Sequence, residues 1–155
     1  MKRSFKRKKG PVQAKKVTHD GIKFASGLEK YMYIALKKAK IKAEYEGQTF
    51  ELVNSFDFNL ESVERQANGK GEYKNRGNKK ILGIKYTPDF IGKDFIIETK
   101  GRANESFPIR WKLFKRKLAE SNFITQLPIE WTLYKPQNQK ECDETIRLIL
   151  QKQNT

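Results

Sequence analysis

The stretch that most restricts the fold is ILGIKYTPDFIGKDFIIETKGR, residues 81–102. It holds two apolar runs rich in β-branched residues, Ile81 to Tyr86 and Phe95 to Thr99, joined by a short turn containing Gly92 and Lys93. Runs of this length and composition around a turn predict two adjacent antiparallel strands. Asp89 falls at the end of the first and Glu98 within the second, so a hairpin between them brings both carboxylates to one edge of a sheet. Lys100 stands two residues after Glu98, and the period of a strand puts those two side chains on one face.

Helical patterns flank this stretch. Leu28, Met32, Leu36 and Ala39 recur at helical spacing, Tyr31 and Ala35 widen the stripe, and no Gly or Pro interrupts before Gly47, which predicts a helix over about residues 27–40. Residues 43–60 alternate Tyr, Phe, Leu and Val with polar residues and are expected to be extended. The segment QANGKGEYKNRGNKK, residues 66–80, is rich in Gly, Asn and Lys, the composition of a loop or hairpin tip, and is basic enough to touch DNA. After Pro108, IRWKLFKRKLAES sets Trp111, Phe114 and Leu118 on one face, with Arg110, Lys112, Lys115, Arg116 and Lys117 around them, as in a basic amphipathic helix. A strand near residues 129–134 and a final helix near 143–151 complete an α/β domain, a mixed central sheet flanked by helices. A length of 155 residues suits one such domain.

Charge narrows the partners. Thirty-three Lys and Arg against 18 Asp and Glu leave a formal charge of +15, which repels itself in a compact globule unless a polyanion neutralises it. Nucleic acid is the natural partner; anionic lipid, or no partner at all for a merely soluble basic protein, are the alternatives. No apolar run is long enough to span a bilayer. The start, MKRSFKRKKG, lacks the apolar stretch of a secretory signal, and Cys142 has no second cysteine in the chain, so a reducing intracellular setting is expected. Residues 1–16 carry eight Lys or Arg and no acid, so residues 1–20 are expected to form a disordered basic arm and residues 21–155 the folded domain.

Clustered carboxylates beside a lysine suit phosphodiester hydrolysis. That reaction needs charge compensation and a water made nucleophilic at neutral pH, both of which a hard divalent cation on carboxylates provides. Asp89 and Glu98 would hold the metal while Lys100 positions the attacking water or stabilises developing charge. An acid-x-Lys triplet also arises by chance, as Glu72-Tyr73-Lys74 does, and Glu98 with Lys100 could be a structural ion pair. Context favours chemistry, because Glu98 follows Phe95-Ile96-Ile97, where an unpaired buried carboxylate is costly without a function. Glu29 lies three residues after Ser26, and on its own this pattern reads as a capping box. Glu44 and His19 would not be chosen from spacing.

The segments SGLEKYMYIALKKAKIKAEYE, YTPDF and IIETKG, in this order, resemble the motifs of the phage endonuclease I family of Holliday-junction resolvases, within the PD-(D/E)xK nuclease superfamily. The resemblance covers roughly residues 26–46 and 86–101 and rests on three linked motifs. It implies a restriction-endonuclease-like core in an intertwined homodimer and a structure-specific endodeoxyribonuclease acting on branched DNA, leaving a 5′-phosphate with Mg²⁺ or Mn²⁺ as cofactor. It implies Asp89 and Glu98 as metal ligands, Lys100 as catalytic lysine, Glu29 as an additional active-site acid and Glu44 as a further acid. If the chain is phage-encoded, it implies the cytoplasm of an infected bacterial host. Arg102, Arg110, Lys112, Lys115, Arg116 and Lys117 are the expected DNA contacts. A nuclease for single-stranded, flapped or linear DNA and a non-catalytic basic nucleic-acid binding protein are the competing expectations. The stretch between Glu46 and Tyr86 is longer than in the family's best-known form, and residues after Arg102 align only loosely.

The basic N-terminal segment yields a first test: a chain lacking residues 1–16 is expected to bind DNA more weakly, with a larger loss at low than at high salt. An affinity left unchanged by the deletion at both salts, read by fluorescence anisotropy, would refute this.

Overall fold

A computed structural model describes residues 14–125 and 130–155. The chain begins with a hairpin of β1 (Val17–His19) and β2 (Ile22–Phe24), followed by helix α1 (Gly27–Lys38). Eight short strands come next: β3 (Glu44–Tyr45), β4 (Phe50–Val53), β5 (Phe56–Phe58), β6 (Val63–Glu64), β7 (Lys74–Asn75), β8 (Lys79–Ile81), β9 (Ile84–Tyr86) and β10 (Phe90–Ile91). Strand β11 (Phe95–Ile97), helix α2 (Phe107–Thr125), strand β12 (Thr132–Tyr134) and helix α3 (Gln139–Gln153) close the chain. Residues 1–13 of the expected arm lie outside the described residues, and strand β1 places the fold's first element at Val17, inside the span 1–20 assigned to that arm. Of the strand expected over 129–134, Ile129 also lies outside them.

The central sheet has the order β12-β11-β10-β3 and is mixed: β11 pairs parallel with β12 and antiparallel with β10, which pairs antiparallel with β3. All three residues of β11 are buried because both faces of the strand are covered. Phe95 and Ile97 join Phe24, Met32, Leu36 and Phe90 under α1 and α3, with Cys142 and Ile149 of α3 in the same cluster. Ile96, on the opposite face, packs with Tyr86 and with Phe107, Trp111 and Phe114 of α2. Each fully buried Phe or Ile contributes about 1.5–3 kcal/mol, so this one strand ties both helical layers to the sheet.

Helix α1 starts where the capping signature places it, with the Ser26 side chain accepting from the Glu29 amide, and ends two residues before the expected Lys40. Helix α2 begins one residue before Pro108, which lacks an amide hydrogen and is tolerated in a first turn. Helix α3 starts at Gln139 rather than Asp143, because Asn138 caps it by accepting from the Glu141 amide.

One expectation needs correction. Ile81 to Tyr86 is not one strand beside Phe95 to Thr99: it is broken at Leu82-Gly83 into β8 and β9, and β9 pairs with β4 instead. Pro88 cannot donate a ladder hydrogen bond, and the chain starts a new strand, β10, after it. Residues 66–80, expected as a loop or hairpin tip, are the latter. They form the far end of a nested antiparallel ribbon in which β4 pairs with β9, β5 with β8 and β6 with β7.

The ribbon closes only because its strands approach closely at Gly77, where a Cβ would lie 2.0 Å from the Leu60 carbonyl oxygen and 2.7 Å from the Ser62 amide nitrogen. Gly77→Ala is therefore expected to speed amide exchange at Ser62, Arg76 and Asn78 roughly tenfold or more while leaving the central sheet protected. Uniform protection in the variant would show that the close approach is dispensable.

Candidate active site

The β10–β11 hairpin sets the site. Its register pairs Phe90 with Ile97, and carried one residue outward it places Asp89 opposite Glu98. Facing residues of an antiparallel pair project to the same side, so the two carboxylates become neighbours although nine positions apart. The hairpin expected from sequence is thus present, built from β10 and not from Ile81 to Tyr86. Beyond β11 the parallel ladder continues as hydrogen bonds from the Glu98 amide to the Tyr134 carbonyl and from the Lys100 amide to the Pro136 carbonyl, both 3.0 Å. Glu98 and Lys100 are therefore held at strand spacing even though β11 ends at Ile97.

One cleft brings together Glu29 of α1, Lys85 and Tyr86 of β9, Asp89, Glu98, Lys100 and Arg110 of α2. Asp89 accepts two hydrogen bonds on Oδ2 from Thr99, one from the amide at 2.7 Å and one from the hydroxyl at 2.6 Å. Glu98 is 5% exposed and its Oε2 accepts from the Tyr86 hydroxyl at 2.7 Å. Its Oε1 lies 4.0 Å from Lys100 Nζ. That ammonium also stands 4.8 Å from the centroid of the Phe107 ring, which Lys135 approaches at 5.8 Å.

Burial raises the Asp89 carboxyl to about 8, and the Glu98 charge adds to the effect against the opposing Thr99 bonds. Glu98 is raised too, by burial first, while the Tyr86 hydroxyl and Lys100 pull it back. The hydroxyls of Tyr86 and Tyr45 are pushed upward chiefly by burial, with Glu98 and Glu29 as the acids beside them, so both remain donors at neutral pH. A buried and a half-buried acid that resist joint ionisation form a site that a proton or a cation relieves.

Glu29 is in the cleft and is also spoken for. Its Oε1 accepts from the Ser26 hydroxyl at 2.8 Å, and its Oε2 accepts from the Ala25 amide at 3.0 Å and the Tyr45 hydroxyl at 2.7 Å. The capping role read from sequence is present alongside the site position. Glu44 is exposed on β3 and borders a different groove, with Tyr33, Lys42 and Lys93, so this chain does not bring it to Asp89 and Glu98. Of the six cations expected to contact DNA, only Arg110 lines the cleft. Arg102, Lys112, Lys115 and Arg116 are exposed outside it and Lys117 is half-buried. Lys115 stands 5.7 Å from the Trp111 ring centroid, and Arg116 pairs with Glu120 at 2.6 Å.

Among the described residues, no group of three or more His, Cys, Asp or Glu side chains is placed to hold a metal ion. Asp89 and Glu98 alone still suit Mg²⁺, which is commonly held by one or two carboxylates, with waters and substrate phosphate oxygens completing its shell. Sequence reasoning missed Tyr86, Thr99, Tyr45 and Lys85. Thr99 stood between Glu98 and Lys100, but its bond to Asp89 depends on the hairpin register; Tyr86 reads as an ordinary core aromatic until its hydroxyl finds Glu98.

Fold and cleft define a mixed α/β domain with a two-carboxylate and lysine site. The chain matches, over residues 9–137, the family described as "Protein of unknown function (DUF1064)", and it belongs to that family. It matches none of the curated proteins and none of the solved structures with which it was compared.

An acid raised in the folded state binds its proton more tightly there than when unfolded. The stability this contributes is complete below about 3.8 and is lost as pH rises towards about 8. Asp89→Asn keeps an acceptor for Thr99 and removes the charge, so the metal-free variant is expected to melt higher than the parent at pH 8, on the order of 5 °C, with little difference at pH 4. Equal melting temperatures at pH 8, by scanning calorimetry in chelator, would contradict a strained carboxylate pair.

Proposed function

We propose that this chain is a metal-dependent endodeoxyribonuclease with a restriction-endonuclease-like core, acting on branched DNA such as four-way junctions as a homodimer and leaving a 5′-phosphate. The observation that carries the proposal is the register of β10 and β11, which sets Asp89 against Glu98 with Lys100 on the next ladder step, in a cleft edged by Lys85 and Arg110. The three linked sequence motifs and the charge of +15 support it. Asp89 and Glu98 would hold Mg²⁺ or Mn²⁺, which when bound supplies charge compensation and an activated water.

The remaining work falls to the chain. Lys85 and Arg110 would bind the phosphate, and Lys100, fixed between Glu98 and the Phe107 ring, would orient the nucleophile and neutralise charge developing on the phosphate oxygens. Tyr86 and Thr99 position the two carboxylates. Glu29 adds negative charge from α1 while its oxygens stay bound to Ser26, Ala25 and Tyr45. A non-catalytic DNA-binding role draws on the lack of a three-ligand metal group among the described residues, and the following experiment separates the two.

Glu98→Gln preserves an acceptor for Tyr86 and removes the charge. With Mg²⁺ and a labelled four-way junction, the wild type is expected to make paired cuts near the branch point. The variant should cut at least about a thousandfold more slowly, within the range that single catalytic groups command, and still bind. Cutting of linear duplex and single strand at the same rate would remove the junction preference and keep the site. A folded wild type that cuts no DNA with either metal would establish the binding-only role.

A further inference from the structure

The ribbon from β4 to β9 starts at the cleft, where Tyr86 of β9 bonds Glu98 and the exposed Lys85 lines the rim, and runs away from it. From Asn59 to Lys80 every residue is exposed except Ser62, Arg76 and Gly77, which are half-buried. Among the described residues, five of the eight large apolar side chains left exposed lie on the ribbon: Phe56, Leu60, Val63, Tyr73 and Leu82. An isolated two-stranded ribbon is marginal in water, and this one is braced by polar side chains instead of a core. Arg65 donates to the Gly71 carbonyl, Arg76 to the carbonyls of Glu64 and Glu72, and Asn75 accepts from the amides of Ser62 and Gly77. The far end is therefore shaped in advance of any partner.

Its cations gather at the tip and the returning strand. Residues 65–80 contain Arg65, Lys70, Lys74, Arg76, Lys79 and Lys80 against the single acid Glu72, while Glu61 and Glu64 stand on the outgoing strand before them. Both arginines are spent on the carbonyls, Lys74 stands 3.7 Å from Glu72 in a solvent-exposed pair that a phosphate can displace, and Lys70, Lys79 and Lys80 are exposed, with Tyr73 68% exposed among them. A second copy of a chain carrying +15 is a poor occupant for this end; a polyanion is a good one. Two strands about 4.8 Å apart, with their side chains, match the major groove at about 12 Å and exceed the minor groove at about 6 Å.

We infer that the distal ribbon, residues 59–79, is a second DNA-binding element that seats in the major groove of duplex flanking the cleft, with Lys70, Lys74 and Lys79 on phosphates and Tyr73 towards the base edges. It extends the DNA-directed function proposed above and does not depend on the cutting step. Because the ribbon's root shares β9 with the cleft, seating in the groove would fix the distance between the bound duplex and the cleaved bond.

Two variants test this in chelator, where no cutting occurs, on linear duplex and a four-way junction. In one, Lys70→Gln, Lys74→Gln and Lys79→Gln are combined; in the other, residues 60–77 are removed and Asn59 is joined to Asn78→Gly, a two-residue hairpin turn above the Phe58–Lys79 pair. Both are expected to bind roughly tenfold or more weakly, and the slope of log affinity against log salt should become shallower by about 0.9 for each phosphate that is no longer neutralised. Guanine N7 protection from methylation, given by the wild type beside its binding centre, should disappear with the shortened chain. Unchanged affinity and slope in both variants would overturn the inference, as would intact N7 protection with a loss of self-association in sedimentation. A wild type that shows the ribbon-dependent footprint and never cuts DNA would sink the nuclease proposal alone; Glu98-dependent cutting by a shortened chain of undiminished affinity would sink the ribbon alone.

Discussion

Strand β11 is the point on which the rest of the molecule turns. Its three residues face alternately into two helical layers, so Phe95 and Ile97 fix α1 and α3 while Ile96 fixes α2. The strand ends at Ile97, and the next residue is Glu98, which inherits the burial of the run it terminates. A carboxylate at that position is dehydrated by the same packing that stabilises the sheet, and its partner Asp89 is delivered by the antiparallel register. Hydrophobic order and the electrostatic strain of the cleft have a common origin.

How much of this was legible in the sequence follows from the range of the interactions involved. The start of α1 was, because Ser26 and Glu29 act within one turn. The meeting of Asp89 and Glu98 was, because a tight turn through Gly92 joins the strands, with the Gly92 amide bonding the Phe95 carbonyl at 2.9 Å. The basic helix was, from the spacing of Trp111, Phe114 and Leu118. Of the ribbon, the extended character of residues 43–60 and the tip were legible but the pairing was not: its strands are two to four residues long, interrupted at Gly77 and Gly83, and mostly solvated, so they carry little of the hydrophobic alternation that marks a half-buried strand. The pairing of β9 with β4 joins residues more than thirty positions apart, and no local pattern specifies it. The earlier start of α3 was written in Asn138 and Glu141, a signature as plain as that of α1.

Tyr86 links these levels. It belongs to the ribbon's root, its ring packs 4.7 Å from the Phe114 centroid under α2, and its hydroxyl holds Glu98. Strand, helix and carboxylate thus share one side chain. The cationic edge is tied in likewise, since Phe107 opens the helix that presents Arg110 and lies beneath the Lys100 ammonium.

The commitments of Glu29 bear on how the chain can vary over time. Its carboxyl accepts from a helix cap, a preceding amide and a tyrosine on β3, so four residues from three parts of the chain form one unit. Drift at Ser26 or Tyr45 alters the same group that shares the cleft with Asp89 and Glu98, and a change at Glu29 loosens the first turn of α1 as well as the cleft's charge. Any change that follows replacement of Glu29 would therefore record a damaged helix start and a weakened field together. In lineages of such chains these positions are expected to be exchanged as a set, or not at all.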